Sequence, residues 1–374
     1  MGHGSGGHFH SLNHISQEIG KNIPVSIVTI GPGFSPVLKK NRHFSQSIYF
    51  NGWSLFNLRS DIHQILKKNE PTIIHFFDIN VYNIIKPLLP KKKYGLVVNK
   101  CGGPNPIEFP RVENLILFSG ENKNWFKNQQ KYIKTSIFLI PNRARQIELK
   151  SNKLINKPQD RFCFLRIARI GEAYIKSIND SIDLILSLRN DHNLEVCIYI
   201  IGTIQNENIY KILKERIKPH QGYIHLLTDE EYTQEASNML YLADAVIATG
   251  RGIMEAASLK LPILTPAKNS SFPILINSEN YVSFFTTNFS ERNEASEYDV
   301  QNNMKEIIEA INNKTSYKNH SNFAYSIFEK FFNIKKVFEK YLEVYNQVDK
   351  KRISKFADFK LKLKSYYSFY INSK

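Results

Sequence analysis

The chain has 374 residues, 42% of them hydrophobic and 12% aromatic, enough for two domains with cores of their own and too apolar for a disordered polypeptide. Its 50 Lys and Arg against 34 Asp and Glu leave a formal charge of +16, which suits phosphorylated ligands, an anionic membrane or nucleic acid. No helix-turn-helix, RNA-binding or zinc-finger pattern accompanies the charge, so nucleic acid is the weakest of the three. Cys101, Cys163 and Cys197 have no metal-ligand spacing, and unpaired thiols suit a reducing compartment. No apolar run reaches the length of a membrane span and no signal-peptide core opens the chain, so the expected location is cytoplasmic.

Residues 1–8 read MGHGSGGH, a glycine-rich loop in which Gly4, Gly6 and Gly7 precede an amphipathic helix with Leu12, Ile15 and Ile19 on one face. A strand follows at 24–30. Loop, helix and strand open a doubly wound α/β domain, but the first strand of such a sheet is missing. An upstream start, an unusually late beginning and a flexible leader are the three expectations. His10 and His14 have the i, i+4 spacing of metal ligands, with His8 nearby, yet no carboxylate stands at a matching offset, and no metal site is expected. Apolar strands at 72–78, 96–98, 115–119 and 137–140 then alternate with helices, as in a mainly parallel sheet. His75, Asp78, Asn99 and Ser119 fall at strand carboxyl ends, where ligands gather; capping or core packing explains each of them equally well.

Polar residues 146–160 suit a linker. Beyond it come a strand at 162–170 containing Arg166 and Arg169, then Lys176, and a helix with Ile178, Ile182, Ile185 and Leu188 on one face. A buried strand at 195–201 ends in Gly202, a helix covers 209–217, and a strand at 223–227 precedes Thr228. After a helix at 233–242, a short strand at 245–248 leads into the turn Thr249-Gly250-Arg251-Gly252. A helix over 253–259 is predicted to carry Glu255 in its first turn. Two glycines let the backbone approach a ligand and leave helix N–H groups unpaired. A carboxylate there suits the helix dipole and accepts two hydroxyl hydrogens; an ordinary helix-starting glutamate is the plainer reading. From Ile327 the positions Phe331, Ile334, Phe338, Tyr341, Tyr345 and Val348 keep a helical period. Residues 350–374 interleave lysines with Phe and Tyr, as an anionic lipid surface would favour, or as a frayed solvated tail would show.

Glu255-Ala256-Ala257-Ser258-Leu259-Lys260-Leu261-Pro262 resembles the E-A-x-x-x-x-x-P segment of nucleotide-sugar glycosyltransferases with the GT-B fold, especially glycosyltransferase family 4. The resemblance implies two Rossmann-like domains facing a central cleft, with a C-terminal crossover helix. The domains expected are 1–148 for the acceptor, 149–325 for the donor, a crossover helix at 326–349 and a basic aromatic tail at 350–374. It implies that Glu255 binds the donor ribose and that Arg169 and Lys176 bind the diphosphate as catalytic cations, with Arg166 as a second candidate for the arginine. Gly250, Arg251, Gly252 and Ile253 would lie near the phosphate or sugar, Gly202 before the nucleotide, Leu227 and Thr228 near the base. The glycine loop and His75 would position the acceptor hydroxyl. No cofactor or metal is implied beyond a UDP- or GDP-sugar co-substrate, and no D-x-D motif occurs. The expected activity is retaining, metal-independent transfer to a glycan or lipid-linked acceptor in surface polysaccharide biosynthesis, in the cytoplasm or at the inner face of the plasma membrane. The sequence departs from the family where a second glutamate is common: that position is Ile247. A sugar-nucleotide epimerase of the same fold and a non-catalytic nucleotide-sugar-binding relative therefore stand as alternatives.

Overall fold

The computed structural model describes residues 7–90, 94–151, 153–348, 353–354 and 357–371. The chain divides into two units, Met1–Arg143 with Ile334–Lys374, and Ala144–Asn333.

In the first unit, α1 (Gly7–Ile19) leads to β1 (Ile27–Gly31), which pairs in parallel with β2 (Phe44–Tyr49). Helix α2 (Leu55–Asn69) follows, then β3 (Ile73–Phe76), α3 (Ile79–Leu88), β4 (Gly95–Lys100), β5 (Asn114–Leu117), α4 (Gly120–Lys127) and β6 (Ser136–Leu139). Strands β3-β4-β5-β6 form a parallel sheet in sequence order, separate from β1-β2. Among the described residues no strand precedes α1. Gly4 and Gly6 lie outside the described residues; Gly7 begins α1 in open space, where a β-carbon would touch nothing. Asp78 caps α3 by accepting from the amides of Asn80 and Val81 at 2.7 and 3.1 Å, and Ser119 caps α4.

The second unit is a six-stranded sheet covered on both faces. Strand β7 (Phe162–Ile167) is followed by α5 (Ile175–Asn190), β8 (Val196–Ile201), α6 (Glu207–Ile217), β9 (Ile224–Leu227), β10 (Ala245–Ile247), α7 (Arg251–Ser258), β11 (Ile263–Thr265), β12 (Ile274–Leu275), α8 (Glu297–Asn312) and α9 (Lys314–Ile327). The spatial order β9-β8-β7-β10-β11-β12 is the 3-2-1-4-5-6 order of the Rossmann fold, parallel except for β12. Alternation along β7 explains the two covered faces: Cys163 and Leu165 join one core with Met254 and Phe328, and Phe164 joins another with Ile182 and Leu188. Cys163 and Cys197 are register partners on β7 and β8, free thiols with their Sγ atoms 3.2 Å apart.

The continuous helix expected from Ile327 is interrupted. Helix α9 ends there, a π-helical turn spans Phe328–Phe332, and Asn333 is extended. Phe331 packs on Tyr281 and Phe285 of the second unit and is not on the later helix. Helix α10 (Val337–Gln347) belongs to the first unit, where Val337, Tyr341 and Val344 share a core with Ile15, Ile19, Val97 and Ile116. Helix α11 (Phe359–Ile371) packs along α3 through Ser365, bonded to Asn83, and buries Phe369 against Phe50. This is a docked helix; Lys350, Lys351, Arg352, Lys355 and Phe356 of the expected tail lie outside the described residues.

Candidate functional site

The order of the second sheet reverses between β7 and β10, the place in such sheets where loops leaving the strand carboxyl ends diverge and ligands bind. The loop after β10 is the glycine turn. Gly250 sits at φ 49°, ψ −112°, a conformation that side-chain-bearing residues rarely adopt, and its amide donates to Phe289 O at 3.1 Å. As the N-cap residue of α7, Gly250 offers no side chain to the first-turn amides. Helix α7 starts at Arg251, two residues earlier than expected, so Glu255 stands in its second turn, beyond the strongest part of the dipole. Instead, Arg251 Nε donates to Glu255 Oε1 at 2.6 Å, orienting a carboxylate whose side chain is 13% exposed.

A charged residue near the carboxyl end of an apolar strand is the second component. Arg166 is fully buried on β7, in register with Ile247 of β10. Its Nη1 donates to Ile247 O at 3.3 Å, and its Nη2 to Ser177 Oγ at 2.7 Å and to Glu291 Oε1 at 2.9 Å. Burial pushes the Glu291 carboxyl up and the Arg166 guanidinium down, and their attraction offsets part of each shift. Glu291 therefore presents a carboxylate beside the end of β10, where the sequence itself has Ile247. Three buried polar atoms in this region have no partner: Arg166 Nε, Arg251 Nη1 and Asn288 Oδ1, the last on a residue next to Gly250. Buried polar groups are seldom left unpaired, and three around one turn suit a polar ligand.

Arg169 and Lys176 border the same edge but are held by different neighbours. Arg169 is exposed, donates to Tyr174 Oη at 2.9 Å and lies 5.2 Å from that ring's centre. Lys176 Nζ is 2.6 Å from Asp180 Oδ2 and 3.2 Å from Ser270 O, tying α5 to the loop after β11. Among the described residues, Arg169, Lys176 and Glu255 make no bond to one another. Leu227 and Thr228 close β9 on this edge, whereas Ile253 is buried, leaving only its backbone for a ligand. Gly202 has a packing reason: a β-carbon there would come 1.7 Å from Ala168 O.

His75, expected at the acceptor, lies inside β3 of the first unit. Burial lowers it to about 3, opposed by the Asn99 side chain, so the ring is neutral near pH 7. Its Nδ1 is 3.0 Å from Tyr345 Oη and its Nε2 is buried without a partner. That arrangement joins β3 to α10.

Sequence reasoning missed Glu291 and Ser177. Arg166 in an otherwise apolar strand was the signal, since a buried guanidinium requires a partner. Among the described residues, no group of three His, Cys, Asp or Glu side chains is placed to hold a metal ion, and no helix is long and apolar enough to cross a membrane.

Solved structures resemble this chain over most of its length. A glycosyltransferase from Rickettsia africae ESF-5 matches with a TM-score of 0.67 at 15% identity, covering 91% of this chain and 94% of that one. The Anabaena protein HepE, in complex with UDP and glucose, matches at 0.64 and 14% identity, covering 91% and 96%. The fold is GT-B. A putative UDP-N-acetylglucosamine 2-epimerase from Listeria monocytogenes matches more loosely, at a TM-score of 0.54 and 12% identity over 93% of this chain and 97% of that one. No protein-family model and no curated protein sequence matches the chain.

Proposed function

We propose that the chain is a glycosyltransferase whose second unit binds a nucleotide-sugar donor at the β7–β10 crevice. The observation that carries this reading is the convergence there of a glycine turn, a buried Arg166–Glu291 pair and three unpartnered polar atoms. The GT-B fold and the UDP and glucose bound to HepE support it. Glu255, oriented by Arg251, would take the ribose hydroxyls, and the α7 amides and Arg169 the diphosphate. Arg166 would act from beneath as a fixed positive charge. Lys176 would join the phosphates by exchanging its carbonyl partners for them.

In the transfer, the bond from the anomeric carbon to the phosphate oxygen breaks. A bond to the acceptor oxygen forms on the same face, and the acceptor proton passes to the departing phosphate. The cations stabilise the charge gained by the leaving group in a preorganised setting without a divalent ion. The acceptor is a glycan or lipid-linked saccharide, and the Glu291 carboxylate takes up hydroxyls of the transferred sugar in place of the glutamate absent at position 247. Thermal stabilisation by UDP, GDP and ADP and their sugars, followed by transfer assays with the best donor, tests this. A chain that no nucleotide stabilises refutes donor binding; binding without turnover points to the non-catalytic relative. Likeness to the putative epimerase favours a second reading, which product analysis separates: an isomerised nucleotide sugar in place of free diphosphate identifies it.

A further inference from the structure

Helix α11 carries apolar side chains on two sides, although its inner face also buries Lys362. Its inner face buries Phe369 and Ser365 and packs Tyr366 against Phe50. Its outer face carries Phe359, Leu363, Tyr367 and Ile371 at every fourth position, 58%, 53%, 64% and 51% exposed. A helix that docks by one apolar stripe normally turns polar residues to water on the other. Here the outer stripe extends onto other segments of the first unit. Trp53, 70% exposed, meets the Tyr370 ring edge-on at 5.4 Å, and Phe56, 88% exposed, follows it on α2. At the other side Lys364 pairs with Glu108, which brings the fully exposed Ile107 beside the helix. Exposed apolar side chains from three distant stretches of sequence thus gather around this helix.

The charge beside this surface decides what it meets. Lys360 is exposed on the outer face of α11, next to Lys364; Glu108 pairs with Lys364 and feels both ammonium groups, so a positive excess remains. Arg111 and Lys131 flank Asp358 at the start of the helix, leaving a further positive excess. Residues 349–374 contain eight Lys or Arg against two acidic residues. Tryptophan, tyrosine and phenylalanine among lysines are the side chains that settle at the boundary between lipid headgroups and acyl chains. We propose that this surface, formed by the outer face of α11 with Trp53, Phe56 and Ile107, docks the first unit onto an anionic phospholipid bilayer. The composition of the tail alone suggested a basic aromatic stretch; the fold shows which of its aromatics are spent on the core and recruits others from outside the tail.

Co-flotation of the full chain with phosphatidylcholine vesicles, with and without phosphatidylglycerol, tests the proposal. Binding is expected to the anionic vesicles only and to fall with added salt. The F359S/L363S/Y367S variant is expected to bind about tenfold more weakly or worse, and K360A about fivefold more weakly. All four positions are exposed, so an unchanged melting temperature confirms the fold of each variant, and nucleotide binding by the second unit, measured separately, stays as in the parent chain. Equal binding to neutral and anionic vesicles, or undiminished binding by both variants, overturns the proposal. So does concentration-dependent dimerisation abolished by the triple variant in a chain that ignores vesicles, which would make the surface a contact between copies.

Discussion

Two buried charge networks, one in each unit, are completed in different ways. In the first, Lys86 Nζ lies 2.8 Å from Glu113 Oε1 and 2.7 Å from Tyr82 Oη, Tyr82 donates to Glu113 Oε2 at 3.0 Å, and the Ile353 amide donates to Glu113 Oε1. The carboxylate and the ammonium there are satisfied by the protein itself, and their net effect is to fasten the C-terminal segment to α3. In the second unit the buried charges sit at strand ends, around a glycine turn, and leave Arg166 Nε, Arg251 Nη1 and Asn288 Oδ1 without partners. A closed network holds a scaffold together; an open one at a topological switch point is equipped for a ligand.

Breaking the closed network should give the largest effect. Lys86→Met leaves Glu113 buried without its cation and is expected to cost about 3–5 kcal/mol in chemical denaturation, with nucleotide affinity below the transition unchanged. A parallel loss of affinity would erase the distinction between the units. The open site should respond in the opposite sense. Glu255→Ala is expected to weaken nucleotide binding by about 1.5–3 kcal/mol by calorimetry, at little cost in melting temperature. Unaltered affinity would remove Glu255 from the ribose. Gly202→Ala separates packing from ligand approach: driven against Ala168 O, it should destabilise the second unit by about 1–3 kcal/mol or more. A fully stable variant with poor nucleotide affinity would restore the ligand reading.

Smallest per pH unit, though not when summed over its range, is a pH slope. The His75 folded value of about 3 lies below its ordinary 6.5, so the unfolded chain binds more protons between these values. Stability is therefore full above pH 6.5 and falls on acidification towards pH 3, by up to about 1.4 kcal/mol per pH unit. His75→Gln should flatten this slope in acid-melting experiments; an unchanged slope would place the acid sensitivity elsewhere.

Much of the second unit was legible in the sequence because its signals are local. The strand before Gly250, the glycine turn and the apolar period of α5 each declare themselves within a dozen residues. Boundaries were less so: α7 begins before Gly252, which moved Glu255 into the second turn. Glycine itself was ambiguous, since Gly250 needs its backbone freedom for a turn and Gly202 only needs to avoid a neighbouring carbonyl. Pairings across the chain were marked at one end at most. Arg166 meets Glu291 from a polar stretch that carries no motif, and the period after Ile327 ran unbroken through a place where the chain changes from one unit to the other. In α11 the aromatics looked uniform, because only the fold separates inner Phe369 from outer Tyr367.

The first unit is assembled from both ends of the chain, which gives its formation an order. Ile15, Ile19, Val97 and Ile116 are covered by Val337, Tyr341 and Val344, which a ribosome adds only after the whole second unit has been made. The nascent chain must therefore carry an uncapped hydrophobic face through most of its synthesis, while the later-made Rossmann unit has all its strands and can close first. Release at Asn333 would leave a complete second unit attached to a sheet whose apolar face is still uncovered, prone to aggregation.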